Sequence, residues 1–336
     1  MRVSGASTIN GNPGQGRPVI VVTRRLPEAV EAALQQRFTT ILNPSDTPLD
    51  RPALERAMRE ADALLPTITD RLDAMLLGSP DRRVRILANY GAGLDHIDLA
   101  GARAAGVAVT NTPGALTEAT AELAILLMLA ASRRAVEGDR QLRAGEWRGW
   151  HPTHLIGRGL SGRVLGLVGF GRIAQVTARK AHALGMRVVY YNRSPASPEV
   201  EQALNAVRMP SLSALAEAAD VVSLHVPGGA ETCGMIDGAF LSAMKAGAIL
   251  INMARGSVVD ESALVRALKS GGLSAAGLDV YADEPAVHPG LLDHPRTVLL
   301  PHLGSATIEA RTAMGMQAIA NLEAFFAGRE LPDRVV

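Results

Sequence analysis

Cysteine, aromatic residues and net charge are all scarce in this 336-residue sequence. The single cysteine, Cys233, excludes an internal disulfide and a cysteine-based metal cluster, which is typical of proteins from the reducing cytoplasm. The formal net charge is +1, so no strong field attracts nucleic acid or an anionic membrane. The longest apolar run, Leu123 to Ala131, is too short to cross a bilayer. We therefore expect a cytoplasmic protein that binds neither nucleic acids nor membranes.

The length of the chain and its hydrophobic content of 47% are sufficient for two substantial cores. Residues 1–16 are rich in Gly, Ser, Asn and Thr, and they have neither the basic start nor the apolar centre of a signal peptide. We predict that residues 1–16 form a disordered leader.

Short apolar runs alternate with helix-compatible stretches through the first third of the chain. Strands are predicted at 19–23, 63–65, 84–88 and 107–110, and helices at 28–37, 52–60, 70–77 and 97–104. Strands that alternate with helices favour a parallel sheet. The turn after the first strand contains no glycine, which argues against a dinucleotide site in this half.

A second alternating series begins at Val164, after a long helix predicted from Leu116 to Arg134. Its strands are predicted at 164–168, 187–191, 221–225, 248–251, 274–278 and 298–300, and its helices at 173–184, 212–217, 237–244, 261–269 and 307–327. Six strands are enough for a complete doubly wound dinucleotide-binding domain.

The predicted fold class is α/β, with two doubly wound parallel-sheet (Rossmann-like) domains and an active-site cleft between them. Pro113 and Pro301 interrupt the alternation and indicate where the chain crosses between domains. We expect residues 17–113 plus 301–336 to form a substrate-binding (catalytic) domain, and residues 114–300 to form a dinucleotide-binding Rossmann domain.

A G-x-G-x-x-A pattern, formed by Gly169, Gly171 and Ala174, lies where a predicted strand meets a predicted helix. Gly169 allows a sharp turn, Gly171 lets the backbone approach a pyrophosphate, and Ala174 lets the helix pack closely against the strand. The N–H groups at the start of the helix favour the negative phosphates. The pattern alone also occurs in ordinary tight turns, but its flanking strand and helix favour a dinucleotide site.

The end of the next strand of this series indicates the choice of cofactor. An acidic residue there accepts hydrogen bonds from the adenosine ribose and repels a 2′-phosphate. This chain instead has Asn192, Arg193 and Ser194, in which the arginine pairs with a phosphate and the serine donates to it. We predict that NADP(H) is preferred and that NAD(H) is possible; the alternative is a surface turn with an incidental arginine.

Three further segments each follow a predicted strand, at the edge of the sheet where ligands bind in doubly wound folds. Arg255 lies in the segment 252–256, Glu284 in 279–285 and His302 in 301–307. One arginine, one glutamate and one histidine at this edge are the groups that hydride transfer to a 2-oxo acid requires.

These motifs, together with the segments 89–98 and 110–121, resemble the D-isomer-specific 2-hydroxyacid dehydrogenase family, and in particular its glyoxylate/hydroxypyruvate reductase branch. The resemblance extends from about Arg17 to the end of the chain. It implies that Arg255 binds the substrate carboxylate and polarises the ketone, and that His302 is the general acid. It also implies that Glu284 orients His302 and favours its protonated form.

The resemblance further implies contacts with substrate and cofactor. The backbone N–H groups of Ala92 and Gly93 would bind the substrate carboxylate. Arg172 and Ile173 would contact the pyrophosphate, and Thr120 and Asp279 would lie near the nicotinamide. The full set of predicted cofactor-binding residues is Thr120, Gly169, Gly171, Arg172, Ile173, Asn192, Arg193, Ser194, His225, Val226, Pro227, Met253, Ala254, Asp279 and Gly304.

The family also implies a homodimer, built largely through the helix from Leu116 and the loop after it. The segment around Trp150 and His154 has two interpretations: local packing under a loop, or a contact with the partner subunit's active site, which the corresponding segment can reach in related reductases. No spacing of histidine and acidic residues indicates a metal site. The alternatives are a family member linked to NADH or to another 2-oxo acid, and a nucleotide-sensing binding protein that kept the fold.

Overall fold

The computed structural model of the protein describes residues 16–336. The predicted leader therefore lies outside the described residues, apart from Gly16, which is exposed. The chain separates into two compact units, one that ends at Ala115 and also includes Ile308–Val336, and one formed by Leu116–Thr307. These boundaries fall two and seven residues later than the predicted crossings.

Five parallel strands form the sheet of the first unit within the described residues. They are β1 (Val19–Val22), β2 (Thr39–Ile41), β3 (Ala63–Leu65), β4 (Ile86–Ala88) and β5 (Ala108–Thr110), in the order β2-β1-β3-β4-β5. This is one of the two common doubly wound orders. The prediction missed β2, because an edge strand with two threonines and two exposed residues has no continuous apolar run.

Helices cover both faces of this sheet. They are α1 (Glu28–Arg37), α2 (Arg51–Glu60), α3 (Ala74–Leu77), α4 (Leu99–Ala104) and the long α13 (Ile308–Phe326). One apolar cluster lies between the sheet and α1 with α13, and a second lies under α2, α3 and α4. Buried parallel sheets need helices on both faces, and this unit meets that requirement.

The predicted helix over 70–77 is wrong in its first half. The buried Asp70 carboxylate accepts hydrogen bonds from the backbone N–H of Thr67, at 2.8 Å, and from the Thr23 hydroxyl. The Asp73 side chain then caps α3 by accepting from the N–H of Leu76 at 2.9 Å. Side-chain bonds of this kind compete with helical ones, so α3 begins only after its cap.

Seven parallel strands form the sheet of the second unit among the described residues, whereas six were predicted. They are β6 (Val164–Val168), β7 (Arg187–Tyr191), β8 (Ala206–Arg208), β9 (Val221–Leu224), β10 (Ala248–Asn252), β11 (Leu273–Leu278) and β12 (Thr297–Leu299). Their order is β12-β11-β10-β9-β6-β7-β8, which is the dinucleotide-binding order with one added strand. The missed strand, β8, lies at the edge and exposes Val207 and Arg208.

The helices of the second unit are α5 (Thr117–Ser132), α6 (Ala135–Arg143), α7 (Arg172–Ala183), α8 (Pro198–Ala203), α9 (Leu212–Ala218), α10 (Gly238–Ala243), α11 (Glu261–Lys269) and α12 (Pro289–Leu292). The predicted helix from Leu116 to Arg134 ends earlier, because Arg134 adopts the left-handed conformation with φ of 56°. The α/β class with two parallel sheets is confirmed. Among residues 16–336, no helix is long and apolar enough to cross a membrane.

Candidate active site

Gly169 ends β6 in a sharp turn that leads into α7. Its φ is +86°, and an added Cβ would lie 2.7 Å from the carbonyl oxygen of His225, so glycine is required for two reasons. Gly171 then begins α7 with φ of −75°, and a Cβ there would meet no described protein atom within 4 Å. Neither the backbone angle nor the packing of the described protein atoms requires glycine at position 171. In dinucleotide-binding turns, glycine at this position lets the backbone approach a pyrophosphate.

The start of α7 carries no side-chain cap within the described part of the chain, which leaves its first N–H groups directed out of the helix. Arg172 is exposed and Ile173 is half-buried there, whereas Ala174 is buried against the sheet. A helix start of this kind binds phosphate, so the turn fits the diphosphate of a dinucleotide.

β6 and β9 are neighbours at the point where the strand order reverses, and ligands bind in such crevices. His225, Val226 and Pro227 follow β9 at this point. The His225 Nε2 lies 2.9 Å from the hydroxyl of Ser223, and its Nδ1 is inaccessible to solvent. Burial lowers the pKa of His225 to about 4, so the ring is neutral at pH 7.

Asn192, Arg193 and Ser194 follow β7 on the other side of β6. The Asn192 side chain donates to the carbonyl oxygen of Ser194 at 3.0 Å and so shapes the turn. The Arg193 guanidinium pairs with the carboxylate of Glu231, a residue that sequence reasoning missed. No local pattern links these two residues, which are 38 positions apart.

Arg255 follows β10 in a loop whose backbone makes two hydrogen bonds with the Asn252 side chain. The Asn252 amide donates to the carbonyl oxygen of Arg255 at 3.0 Å and accepts from the N–H of Ala254 at 3.0 Å. The Arg255 guanidinium is half-buried and donates to the carbonyl oxygen of Ala254 at 2.8 Å, while Met253 and Ala254 are buried.

Gly256 lets this loop contact the segment that carries Glu284. An added Cβ at Gly256 would lie 1.8 Å from the carbonyl carbon of Tyr281, so the two backbones are in direct contact. The Tyr281 hydroxyl in turn donates to the carbonyl oxygen of Leu300 at 2.8 Å, just before His302. The loops after β10, β11 and β12 are therefore tied to one another.

Glu284 and His302 are brought together by these loops, with Nδ1 of His302 lying 2.8 Å from Oε2 of Glu284. Partial burial raises the pKa of Glu284, but the hydrogen bond and charge of His302, the N–H of Tyr281 and the charge of Arg255 together lower it. The ionised carboxylate only accepts hydrogen bonds, so His302 donates through Nδ1 and its Nε2 remains for a substrate.

Asp279 holds the His302 loop, a role that sequence reasoning missed. Its buried carboxylate accepts from the N–H groups of Leu303, at 2.6 Å, and Gly304, at 2.8 Å. The Thr120 hydroxyl donates to the carbonyl oxygen of Gly304 at 3.0 Å. His302 itself has φ of +54°, and this left-handed conformation in a non-glycine residue is typical of a functional site held by its surroundings.

Ala92 and Gly93 belong to the first unit, in the loop after β4. Their carbonyl oxygens accept hydrogen bonds from the side-chain amides of Asn111, at 2.8 Å, and Asn89, at 3.0 Å. Within residues 16–336, their N–H groups donate no hydrogen bond. The loop thus presents donors and hides acceptors, which suits an anion.

The Trp150–His154 segment is largely exposed in the second unit. Trp150 is 83% exposed, while the His154 ring lies 2.6 Å from the Gln141 side-chain oxygen and 4.9 Å from the His151 ring centre. Among the described residues, no group of three or more histidine, cysteine or acidic side chains is arranged to hold a metal ion.

The fold and the site define a nicotinamide-dependent oxidoreductase: a Rossmann unit with a glycine turn carries an arginine and a glutamate–histidine pair at the ligand edge of its sheet. Residues 125–304 match the family described as D-isomer specific 2-hydroxyacid dehydrogenase, NAD binding domain. A glyoxylate reductase from Thermococcus litoralis is 43% identical over 324 residues, which cover 95% of this chain and 97% of the relative.

Solved structures agree. The NADPH-dependent glyoxylate/hydroxypyruvate reductase of Sinorhizobium meliloti, in complex with NADP and malonate, has a TM-score of 0.85 at 35% identity, and the match covers 96% of this chain and 97% of that one. The holo form of Rhodotorula graminis D-mandelate dehydrogenase has a TM-score of 0.86 at 33% identity, covering 96% and 98%. The chain belongs to the D-isomer-specific 2-hydroxyacid dehydrogenase family, in its glyoxylate reductase branch, and is an NAD(P)-dependent enzyme that reduces a 2-oxo acid.

Proposed function

We propose that this enzyme prefers NADPH and reduces small 2-oxo acids, converting glyoxylate to glycolate and hydroxypyruvate to D-glycerate. The observation that carries the proposed chemistry is the 2.8 Å hydrogen bond between Glu284 and His302, in a unit that also presents Arg255. The names of the relatives support the substrates, since one is a glyoxylate reductase and another acts on glyoxylate and hydroxypyruvate.

Each of the three side chains has a separate role in this proposal. Arg255 binds the substrate carboxylate through its planar fork and polarises the ketone. His302 donates a proton from Nε2 to the carbonyl oxygen, because its Nδ1 is engaged by Glu284. Glu284 orients the ring and stabilises the imidazolium before the proton leaves. We also assign the N–H groups of Ala92 and Gly93 to the substrate carboxylate.

A nicotinamide cofactor fits the second unit, since Gly171 leaves the space that a Cβ would fill and the start of α7 presents N–H groups. When bound, the reduced nicotinamide supplies the hydride. The proposed contacts are Gly169, Gly171, Arg172 and Ile173 at the diphosphate, Asn192, Arg193 and Ser194 at the 2′-phosphate, His225, Val226 and Pro227 at the adenosine, and Thr120, Met253, Ala254, Asp279 and Gly304 toward the nicotinamide. Asn192 and Arg193 support NADPH, because Asn192 replaces the acid that NADH-specific enzymes carry and Arg193 adds a cation beside it.

We further propose a homodimer. The segment from α5 to residue 156 exposes large apolar side chains, a feature typical of surfaces that contact another protein. They are Leu126, Leu129, Leu142, Trp147, Trp150 and Ile156. Sedimentation equilibrium of the purified protein tests this: a dimer supports the proposal, and a monomer at micromolar concentration contradicts it.

Steady-state rates with glyoxylate, hydroxypyruvate, pyruvate and phenylpyruvate, each with NADPH and with NADH, test the proposed activity. We expect the highest kcat/KM for glyoxylate or hydroxypyruvate with NADPH. The D-mandelate dehydrogenase relative makes a bulkier 2-oxo acid the second candidate, which phenylpyruvate detects.

His302→Ala should lower kcat by about 10²- to 10⁴-fold, the usual contribution of a general acid, with unchanged NADPH affinity. Equal loss of both would indicate a structural role.

A further inference from the structure

The Glu231 carboxylate pairs with Arg193, which lies after β7 where the ribose end of the cofactor is expected. β7 and β9 are the two strands next to β6, so the loops after them lie on either side of the Gly169 turn. Arg193 comes from the loop after β7 and Glu231 from the loop after β9, and their side chains form an ion pair. The pair therefore joins the two loops that flank the cofactor crevice.

The backbone around Arg193 is fixed by a second arginine. Arg208, on the edge strand β8, donates to the carbonyl oxygens of Asn192 at 3.1 Å and of Arg193 at 3.2 Å. The Asn192 amide adds a bond to the carbonyl oxygen of Ser194. Glu201, an acid on α8, accepts a hydrogen bond from the hydroxyl of the buried Tyr190. The guanidinium of Arg193 is thus held on a fixed backbone, with Glu231 as its carboxylate partner.

The ion pair is exposed, with side-chain exposures of 80% for Arg193 and 77% for Glu231. Exposed ion pairs contribute little free energy. A 2′-phosphate with about two negative charges would therefore displace the Glu231 carboxylate from Arg193. The displaced carboxylate stays on the adjacent loop and repels the phosphate. NADH has no 2′-phosphate, so it leaves the pair intact.

We propose that Glu231 is a specificity-determining residue that competes with the 2′-phosphate of NADPH for Arg193 and thereby limits the preference for NADPH over NADH. The inference rests on the proposed binding of NADPH at Arg193. Glu231, in the loop after β9, supplies the negative charge that Asn192, after β7, does not.

Direct binding of NADPH and of NADH to the full chain, measured by isothermal titration calorimetry, tests the proposal without turnover. Glu231→Gln should lower the Kd for NADPH by about two- to fivefold, the range expected for an exposed ion pair, and leave the Kd for NADH within error. Glu217→Gln is the matched control, since Glu217 is an exposed glutamate of the same unit whose carboxylate accepts from Ser213 within α9. It should change neither Kd.

Arg193→Gln separates this inference from the proposed cofactor preference. If Arg193→Gln weakens NADPH binding and Glu231→Gln has no further effect in that background, Glu231 acts through Arg193 as proposed. If Arg193→Gln weakens NADPH binding but Glu231→Gln leaves the wild-type Kd unchanged, the inference fails and the NADPH preference stands. If Arg193→Gln leaves the NADPH affinity unchanged, both fail.

Discussion

The carboxylate of Glu284 and the imidazole of His302 lie 2.8 Å apart although they follow different strands, β11 and β12. Two contacts hold them in register: the Tyr281 hydroxyl bonds to the backbone before His302, and the Asp279 carboxylate bonds to the backbone after it. The proposed acid and its proposed orienting group are therefore preassembled within one unit. Preorganisation of this kind means that no reorganisation is needed when the proton moves.

Glu284→Gln tests what the carboxylate charge contributes. The amide keeps an oxygen for the Nδ1 of His302 but no longer stabilises the imidazolium, so the protonated acid should be lost at lower pH. We expect the alkaline limb of the kcat/KM profile for 2-oxo acid reduction to move to lower pH, with an unchanged Kd for NADPH. An unshifted limb would show that Glu284 does not act through His302.

Gly256→Ala tests the contact between the Arg255 loop and Tyr281. The new Cβ would lie 1.8 Å from a backbone carbon, so the loop must move and carry Arg255 with it. A displacement of about 1 Å at a substrate-positioning residue can cost about 10²-fold, and we expect kcat/KM to fall at least that far. Gly159→Ala is the control, since its Cβ meets nothing within 4 Å among the described atoms. Wild-type kcat/KM in Gly256→Ala would contradict this account.

The buried part of the fold was predictable from the sequence, because strands covered on both faces are continuous apolar runs. β6 and β7 have the predicted bounds, and the other central strands of the second sheet differ by one residue at an end. The edge strands β2 and β8 were missed for the opposite reason: each exposes residues such as Thr39 and Arg208, and only backbone pairing to a neighbour defines them.

The candidate site divides in the same way. Arg255, Glu284 and His302 could be proposed from the sequence because each follows a strand at the ligand edge of the sheet. The partners that hold or pair with site residues could not be predicted. Asp279 binds the backbone of the His302 loop 24 residues away, and Glu231 pairs with Arg193 from another loop. Such partners depend on the tertiary positions of loops, which no periodicity encodes.

Gly171→Ala separates cofactor binding from stability. The φ of −75° suits alanine and the Cβ meets no described protein atom within 4 Å, so the thermal midpoint should stay within about 2–4 °C of the wild type. The methyl group would occupy the space proposed for the pyrophosphate, and we expect the Kd for NADPH to rise about tenfold or more. Calorimetric titration and a melting curve measure the two quantities. An unchanged Kd would remove the assignment of this turn to the diphosphate.

The neutral ring of His225 should make stability depend on pH. Burial lowers the pKa of His225 in the folded protein to about 4, whereas a histidine in the unfolded chain has a pKa of 6.5. Below pH 6.5 the unfolded chain therefore binds a proton at this histidine that the folded protein does not. The free energy of unfolding is thus highest above pH 6.5 and falls toward pH 4. The loss attributable to this residue is about 3 kcal/mol, an order-of-magnitude figure from about 1.4 kcal/mol per pH unit.

His225→Gln removes the titration while keeping an amide that can bond to the Ser223 hydroxyl, which lies 2.9 Å from Nε2 in the wild type. Urea unfolding at pH 7.5, 6 and 5 should show a wild-type free energy that falls more steeply on acidification than that of the variant. The difference between the two curves isolates His225, because every other group titrates in both proteins. Parallel curves for His225→Gln and the wild type would mean that the folded protein protonates this ring, and the switch-point crevice would then carry a positive charge beside the proposed cofactor site.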